Sequence, residues 1–473
     1  MAAARRMVVV GGDAAGMTAA SQARRLQGPD ELKIIAFERG DYSSYSACGI
    51  PYWVAGDVGQ RDDLIARTPE QHRERDIDVR MRTEVTAIDP DRGRVRAREL
   101  PRDAPPGPEF WTEFDDLVLA TGARPVLPPL PGIDAEGVHG VQSLEDGQAL
   151  LERLDALQGP DRKGSGNGGD RLRAVVVGAG YIGVEMAEAL VRRDFEVTVL
   201  EGAPQPMTTL DPDMGELVRD AMCDMGMEVV TGTPATAVET DDSGRACAVT
   251  TGETSYPADV VVLGLGVAPE TSLAREAGLP LGESGGLLTD LAMRVRGSEN
   301  IWSGGDCVEV LDLISGRTRH VALGTHANKH GQVIGANIAG GYATFPGVVG
   351  TAVSKVCDLE IARTGLLEGQ AREVGLQFVT VTAEATSRAG YFPGSRPMRV
   401  KMLAERGTGR LLGTQIVGRE GAGKRVDIAA VALTAGMTVG QMTYLDLGYA
   451  PPFSPVWDPV LVAARKATAA VSG

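Results

Sequence analysis

One thiol and two glycine-rich turns carry the residue types that could do chemistry in this chain. Cys48 lies in Ser43-Ser44-Tyr45-Ser46-Ala47-Cys48-Gly49-Ile50-Pro51-Tyr52. Its thiolate would be a nucleophile and a two-electron partner for sulfur, and a helix starting just after it predicts a depressed pKa. The other thiols, Cys223, Cys247, Cys307 and Cys357, are far apart and form no CxxC pair, so neither a structural metal nor a disulfide framework is expected. Gly178-Ala179-Gly180-Tyr181-Ile182-Gly183 is a complete dinucleotide-binding turn. Gly178 allows the tight turn, Gly180 a close approach to pyrophosphate, and Gly183 tight helix–strand packing. Glu201 follows Gly183 by 18 residues and would accept ribose hydroxyls while repelling a 2′-phosphate. No arginine lies between Glu201 and Leu210, so NADH is expected in preference to NADPH.

The first glycine turn departs from this pattern. Its three places fall on Gly11, Asp13 and Gly16, so an aspartate stands at the middle one. A carboxylate there opposes a pyrophosphate unless it turns outward, the expectation taken for Asp13. Glu38 follows at the end of the next strand. Ala120-Thr121-Gly122-Ala123-Arg124-Pro125 comes after a strand over Asp116–Leu119, and Asn300-Ile301-Trp302-Ser303-Gly304-Gly305-Asp306 is expected to end a strand and open a helix. Asp306 would then meet polyol hydroxyls or cap that helix.

These turns need strands and helices to hold them. Strands over 7–10 and 32–37 flank a helix over 16–26, and strands over 174–177 and 196–200 flank a helix starting near Gly180. Two such β-α-β units predict two doubly wound parallel sheets. A loop is expected over 100–108 and an exposed connection over 158–170. From residue 345 the pattern turns α+β, with strands over 376–381 and 398–403 and a helix over 425–435. A chain of 473 residues exceeds one core. The net charge of −16 argues against nucleic-acid or anionic-membrane surfaces. The absence of a signal-peptide core or a long apolar run predicts a cytoplasmic protein.

Taken in order, the four motifs resemble the two-dinucleotide-domain flavoproteins of the pyridine nucleotide-disulfide oxidoreductase superfamily, over nearly the whole chain. The resemblance implies an FAD-binding domain over 1–148 and 288–344, an NAD(P)H-binding domain over 149–287, and a C-terminal α+β dimerisation domain over 345–473. It would place FAD against Gly11, Gly12, Ala15, Gly16, Glu38, Arg39, Val85, Ala120, Thr121, Gly122 and Asp306. NAD(P)H would meet Gly178, Gly180, Tyr181, Ile182, Gly183, Glu201 and Gly266, with Tyr181 as a gate over the nicotinamide site. Trp53, five residues after Cys48, rules out a CxxxxC pair, and the segment resembles the single-cysteine branch. That branch contains coenzyme A-disulfide reductases, NADH oxidases and peroxidases, and persulfide reductases.

Ser21-Gln22-Ala23-Arg24-Arg25 resembles the coenzyme A-holding segment of that branch. This implies Gln22 and Arg25 on the substrate, with Thr18, Ser44 and Asn328. Tyr391, in Gly390-Tyr391-Phe392-Pro393-Gly394, and Tyr449, in Gly448-Tyr449-Ala450-Pro451, resemble tyrosines that reach the partner subunit's active site in a homodimer. The run from Gly421 to Asp427 matches the same interface domain. The implied activity is NAD(P)H-dependent reduction of coenzyme A disulfide or a related small disulfide, with Cys48, Tyr391 and Tyr449 catalytic and coenzyme A held as a mixed disulfide. Arg25, Arg73, Arg75, Lys424 and Arg425 are the cations available for its phosphates. The departures are Ala14 where oxidases carry a histidine, Ala47 beside the cysteine in place of asparagine, and Trp457 in place of lysine. No rhodanese-like domain is expected. The alternatives are an NADH oxidase, a persulfide or polysulfide reductase, and an electron-transfer reductase for a protein partner.

Overall fold

The computed structural model describes residues 4–159 and 171–473, and short apolar strands alternating with glycine turns give it two parallel sheets. In the first, Arg5–Val10 is central, with Leu32–Phe37 and then Ile77–Arg80 on one side and Asp116–Leu119 and then Ile301–Ser303 on the other. In the second, Arg173–Val177 is central between Glu196–Glu201 and Val260–Leu263, with Glu228–Thr231 and Val138–His139 at the edges. Met7, Val8 and Val9 are fully buried, as a parallel strand covered on both faces requires. In each sheet the chain order reverses beside the central strand, so its carboxyl end opens on a crevice suited to a ligand. The connection expected over 158–170 lies outside the described residues from 160 onward.

Glycine decides the geometry at both crevices. Gly11 and Gly178 turn at φ 109° and 97°. A Cβ on Gly11 would sit 2.0 Å from the Ala120 carbonyl oxygen, and one on Gly178 2.5 Å from that of Gly264. The helices that follow are Ala14–Leu26 and Tyr181–Arg192. A further helix, Gly324–Ile338, lies against Ala14–Leu26. Gly331 and Gly335 face it one turn apart, where a Cβ would lie 2.5 Å from Ala15 O and 2.4 Å from Ala19 O. This contact brings Asn328 beside Thr18.

The third sheet is antiparallel, in the order Ala352–Val356, Leu359–Gly365, Leu411–Gly418, Pro397–Glu405, Phe378–Thr386. Helices Ala422–Thr434 and Pro459–Ser472 bury Val426, Ala429, Val460 and Ala463 against it. The loop expected over 100–108 joins strands Arg94–Glu99 and Phe110–Glu113. One expectation fails: no helix opens at Asp306. The chain turns there at Gly305 (φ 86°) and enters the strand Val308–Leu311, which pairs with Leu287–Leu288. No helix among the described residues is long and apolar enough to cross a membrane.

The third sheet is locked to the second by a buried cation. Lys401 Nζ lies 3.1 Å from Asp211, 2.7 Å from Asp213 and 2.9 Å from Glu368. Gln415 donates to Asp211 Oδ2 at 2.6 Å and accepts from its N–H at 2.7 Å. Removing the cation leaves the buried Asp211 carboxylate, beside the partly exposed Asp213 and Glu368, without its counter-charge. Lys401→Met is expected to lower the melting temperature by roughly 5 °C or more, read by thermal unfolding. An unchanged transition would show that the junction does not depend on the charge.

Candidate active site

The segment around Cys48 forms a partition between two cavities. A cavity of about 920 Å³ has Tyr45 and Ala47 in its wall, and one of about 720 Å³ has Ser44, Tyr45 and Ser46. Backbone hydrogen bonds fix the partition. Ser44 N–H donates to Gly12 O at 3.1 Å, Ala66 N–H to Ser44 O at 2.8 Å, and Ser46 N–H to Leu64 O at 2.9 Å. Tyr45 N–H donates to Asp13 Oδ1 at 3.1 Å. Asp13 therefore does not turn outward. Its carboxylate reaches across from the glycine turn, holds the cysteine segment and lines both cavities. Burial and the facing carboxylates of Glu38 and Asp306 push it up to about 6.

The larger cavity gathers most of the residues expected around FAD. Gly11, Glu38, Arg39, Val85, Ala120, Thr121, Gly122 and Asp306 line it. Glu38 is clamped by its own turn, accepting from Gly12 N–H and Gly40 N–H, each at 2.7 Å. Gly12 thus contributes an amide. Gly16 and Ala15 lie behind the wall: a Cβ on Gly16 would meet Gly11 O at 2.1 Å, and Ala15 packs on Gly305. Gly122, at φ 70°, has nothing within 4 Å of where a Cβ would stand. Buried carboxylates for sugar hydroxyls, a glycine turn at a helix start and an open backbone cradle are a donor set that fits FAD.

The second crevice repeats the plan. Glu201 accepts from Ala179 N–H at 2.7 Å and from Ala203 N–H at 2.8 Å. A Cβ on Gly183 would lie 2.0 Å from Gly178 O, so this glycine is needed for packing, whereas Gly180 and Gly266 face open space within 4 Å. Tyr181 and Ile182 are half-buried at the start of the helix, and the Tyr181 hydroxyl is buried without a hydrogen-bond partner among the described residues. Glu185, one turn further, is absent from the sequence reading. Burial pushes it up to about 6, and Ser354 Oγ donates to its Oε1 at 2.8 Å. An acid inside the apolar run Val184-Glu185-Met186-Ala187 was the available signal.

Cys48 is exposed and sits in a short 3₁₀ turn, Ala47–Gly49, that leads into the helix Ile50–Ala55. Ile50, Trp53 and Val54 join the core of the second sheet's domain with Val184 and Leu190. Arg192 on that domain grips Asp57 through two contacts, at 2.6 and 2.5 Å. The expected depression of the thiol pKa is not produced by the chain's own groups. Partial desolvation in the concave wall pushes the thiol up, and the Glu185 and Asp306 carboxylates add to it. A helix of six residues does not offset two carboxylates and burial.

The smaller cavity collects Thr18, Arg25, Ser44 and Asn328 as expected, with Thr18 Oγ1 donating to Asn328 Oδ1 at 2.9 Å. Gln22 is not in its wall and packs against Gly335. Of the proposed cations, only Arg25 and Arg75 line it. Arg73 bonds to Glu70 and Val79 O, and Lys424 pairs with Asp427. Arg425 binds Asp458, Gly421 O, Ser387 O and Phe453 O. Its donors are spent on joining the two loops that carry Tyr391 and Tyr449. Sequence reading missed Arg67, which is half-buried and lies close enough to Arg75 and Arg25 that burial and these two cations lower its pKa. None of the three arginines has an ion-pair partner among the described residues. Tyr391 and Tyr449 are both exposed, at 78% and 48%, and are neighbours: slight desolvation and the nearby Tyr391 push the Tyr449 hydroxyl up.

Two doubly wound sheets, a thiol beside the first glycine turn and a separate antiparallel domain define a two-dinucleotide oxidoreductase. The pyridine nucleotide-disulphide oxidoreductase family model matches residues 5–331, and its dimerisation-domain model matches 351–459. The chain belongs to this family and is an FAD- and NAD(P)H-dependent oxidoreductase. It is 37% identical over 465 residues to an NADH oxidase of Methanocaldococcus jannaschii, with 98% of both chains covered. It is 35% identical to an NAD(P)H coenzyme A polysulfide/persulfide reductase of Pyrococcus horikoshii, again with 98% of each covered. The solved structure of an NAD-dependent persulfide reductase from A. fulgidus superposes with a TM-score of 0.91 at 40% identity, covering 99% of this chain and 84% of that one.

The Asp13 carboxyl gives a pH test. Its folded pKa of about 6 lies above the ordinary 3.8, so its contribution to stability is complete below the ordinary value and is lost as pH rises through 6. Asp13→Asn keeps an oxygen for Tyr45 N–H but carries no charge. The variant is expected to melt a few degrees higher than the wild type at pH 8 and no higher at pH 4. A gain equal at both values would remove ionisation as the cause.

Proposed function

We propose that the protein reduces a sulfur–sulfur bond of a coenzyme A-linked substrate, a disulfide or a persulfide, with NADH as donor and Cys48 as the attacking thiol. The observation that carries the reading is the smaller cavity, where Arg25, Arg67 and Arg75 converge beside the cysteine segment in a chain of net charge −16. A substrate with several phosphates and a thiol at the far end matches an arginine cluster in a cavity whose wall runs through Ser44, Tyr45 and Ser46 into the segment that carries Cys48. The coenzyme A polysulfide/persulfide reductase activity for which the Pyrococcus horikoshii relative is named supports the coenzyme A assignment. FAD, when bound, relays two electrons at a time between reduced nicotinamide dinucleotide and sulfur.

The chain's own residues do the rest. Glu201, with its carboxylate fixed by two amides, selects a ribose with a free 2′-hydroxyl, which favours NADH. The Cys48 thiolate attacks one sulfur of the substrate, forming a mixed disulfide and releasing the other as a thiolate. Two electrons then split the mixed disulfide and restore Cys48. The balance is RS–SR′ + NADH + H⁺ → RSH + R′SH + NAD⁺, and with a persulfide one product is hydrogen sulfide. Tyr391 and Tyr449 sit as neighbours on the exposed face of the C-terminal domain. In a homodimer they would reach the partner's thiol site and offer a hydroxyl proton to the leaving thiolate. Ala14, where oxidases carry a histidine, disfavours oxygen as the main acceptor.

Anaerobic reduction of the purified holoprotein with NADH, with mass spectrometry of released thiols, tests this reading. About one coenzyme A per subunit is expected from the wild type. Cys48→Ser is expected to release none and to lose disulfide turnover by at least about a hundredfold while still binding NADH. Normal turnover by Cys48→Ser would sink the scheme. Release of no thiol, with rapid oxygen uptake once air is admitted, would favour the oxidase activity for which the Methanocaldococcus jannaschii relative is named.

A further inference from the structure

Ser44, expected on the substrate, forms a pair in the smaller cavity with His72, a residue to which no role has been assigned. Ser44 holds φ at 51°, a left-handed conformation seldom taken by serine. Its backbone is pinned on both sides, N–H to Gly12 O and carbonyl to Ala66 N–H. Its Oγ lies 3.0 Å from Nε2 of His72. His72 comes from the helix Pro69–Arg73 and is 1% exposed. Its Nδ1 is buried with no hydrogen-bond partner among the described residues. Both side chains line the cavity with Arg67 and Arg75.

The unpartnered nitrogen decides where the ring proton sits. Burial, with Arg67 and Arg75 facing the ring, pushes His72 down to about 4, so the imidazole is neutral at pH 7 and carries one N–H. A proton on Nδ1 would be a buried donor with no acceptor. A proton on Nε2 donates to Ser44 Oγ. An orphaned buried N–H is rarer than an under-satisfied acceptor, which selects Nε2–H. Ser44 Oγ then accepts from the ring, and its own proton must go elsewhere. Ser44 Oγ has no second partner among the described side chains, so that proton points to whatever occupies the cavity.

We propose that His72 is a positioning residue that fixes Ser44 as a one-way hydrogen-bond donor to an acceptor atom, a carbonyl or a thiolate, on the thiol-bearing arm of the substrate. The inference rests on reading this cavity as the thiol-substrate site. It explains why a strained serine is kept four residues before the reactive cysteine: the left-handed turn aims Oγ at both the ring and the cavity.

The test separates the pair from the substrate assignment. His72→Gln keeps an N–H donor at similar reach, and His72→Phe keeps bulk without one. His72→Phe and Ser44→Ala are each expected to raise KM for coenzyme A disulfide about tenfold, with KM for NADH at the wild-type value. The double variant is expected to lose no more than either single one, and His72→Gln to stay within about threefold of wild type. Additive losses, a normal KM in His72→Phe, or a His72→Gln as impaired as His72→Phe would overturn the proposal. Nitrogen-15 spectra of the unmutated holoprotein read the tautomer without any variant or turnover: protonated Nε2 is expected, and protonated Nδ1 would overturn the pairing. If the wild type fails to turn over coenzyme A disulfide, the substrate reading falls, and the tautomer still decides the pair.

Discussion

Two amides hold this active site together: Ser44 N–H on the Gly12 carbonyl and Tyr45 N–H on the Asp13 carboxylate. They stitch the cysteine segment to the glycine turn, so a single wall serves both cavities. The thiol's place relative to either ligand is set by that stitch, and displacements of an ångström are costly in such chemistry. A glycine at position 13 could not supply the second acceptor. The turn gives up the conformational freedom usual at that place for a side chain that reaches across, and accepts a buried carboxyl with a raised pKa in return.

The sheets and glycine turns were legible because they repeat: apolar strand, glycine, helix, apolar strand, acid. Glu38 and Glu201 stood at matching ends of that pattern and took up matching contacts. What failed to show was whatever depends on residues converging from distant segments. The Gly304-Gly305-Asp306 run looks like a helix start, yet the strand Val308–Leu311 claims the chain through its pairing with Leu287–Leu288. Arg425 looked like a free cation because Asp458, Ser387 and Phe453 are remote in sequence. Arg67 and His72 belong to no motif. The thiol environment depends on Glu185 and Asp306, which no spacing rule brings to Cys48.

The second sheet's domain is tied firmly to both neighbours. Trp53, at the place where a second cysteine would stand in a CxxxxC enzyme, is buried in its core with Ile50 and Val54. Lys401 and its three carboxylates join the same domain to the antiparallel sheet. The cysteine helix therefore cannot move without carrying the domain that holds the second glycine turn. This shared packing keeps two sites in register across separate cores.

The doubled clamp on Glu201 has an engineering consequence. Its carboxylate closes the amides of Ala179 and Ala203, and in the proposed function the same group also presents oxygen to a ribose. Exchanging it to change dinucleotide preference would undo the turn's own closure as well as the selectivity. The freed amides would also be donors suited to an added phosphate. Under the proposed NADH preference, retargeting this enzyme to NADPH is thus a problem of rebuilding the turn around an anion, with the acid's removal as its first step.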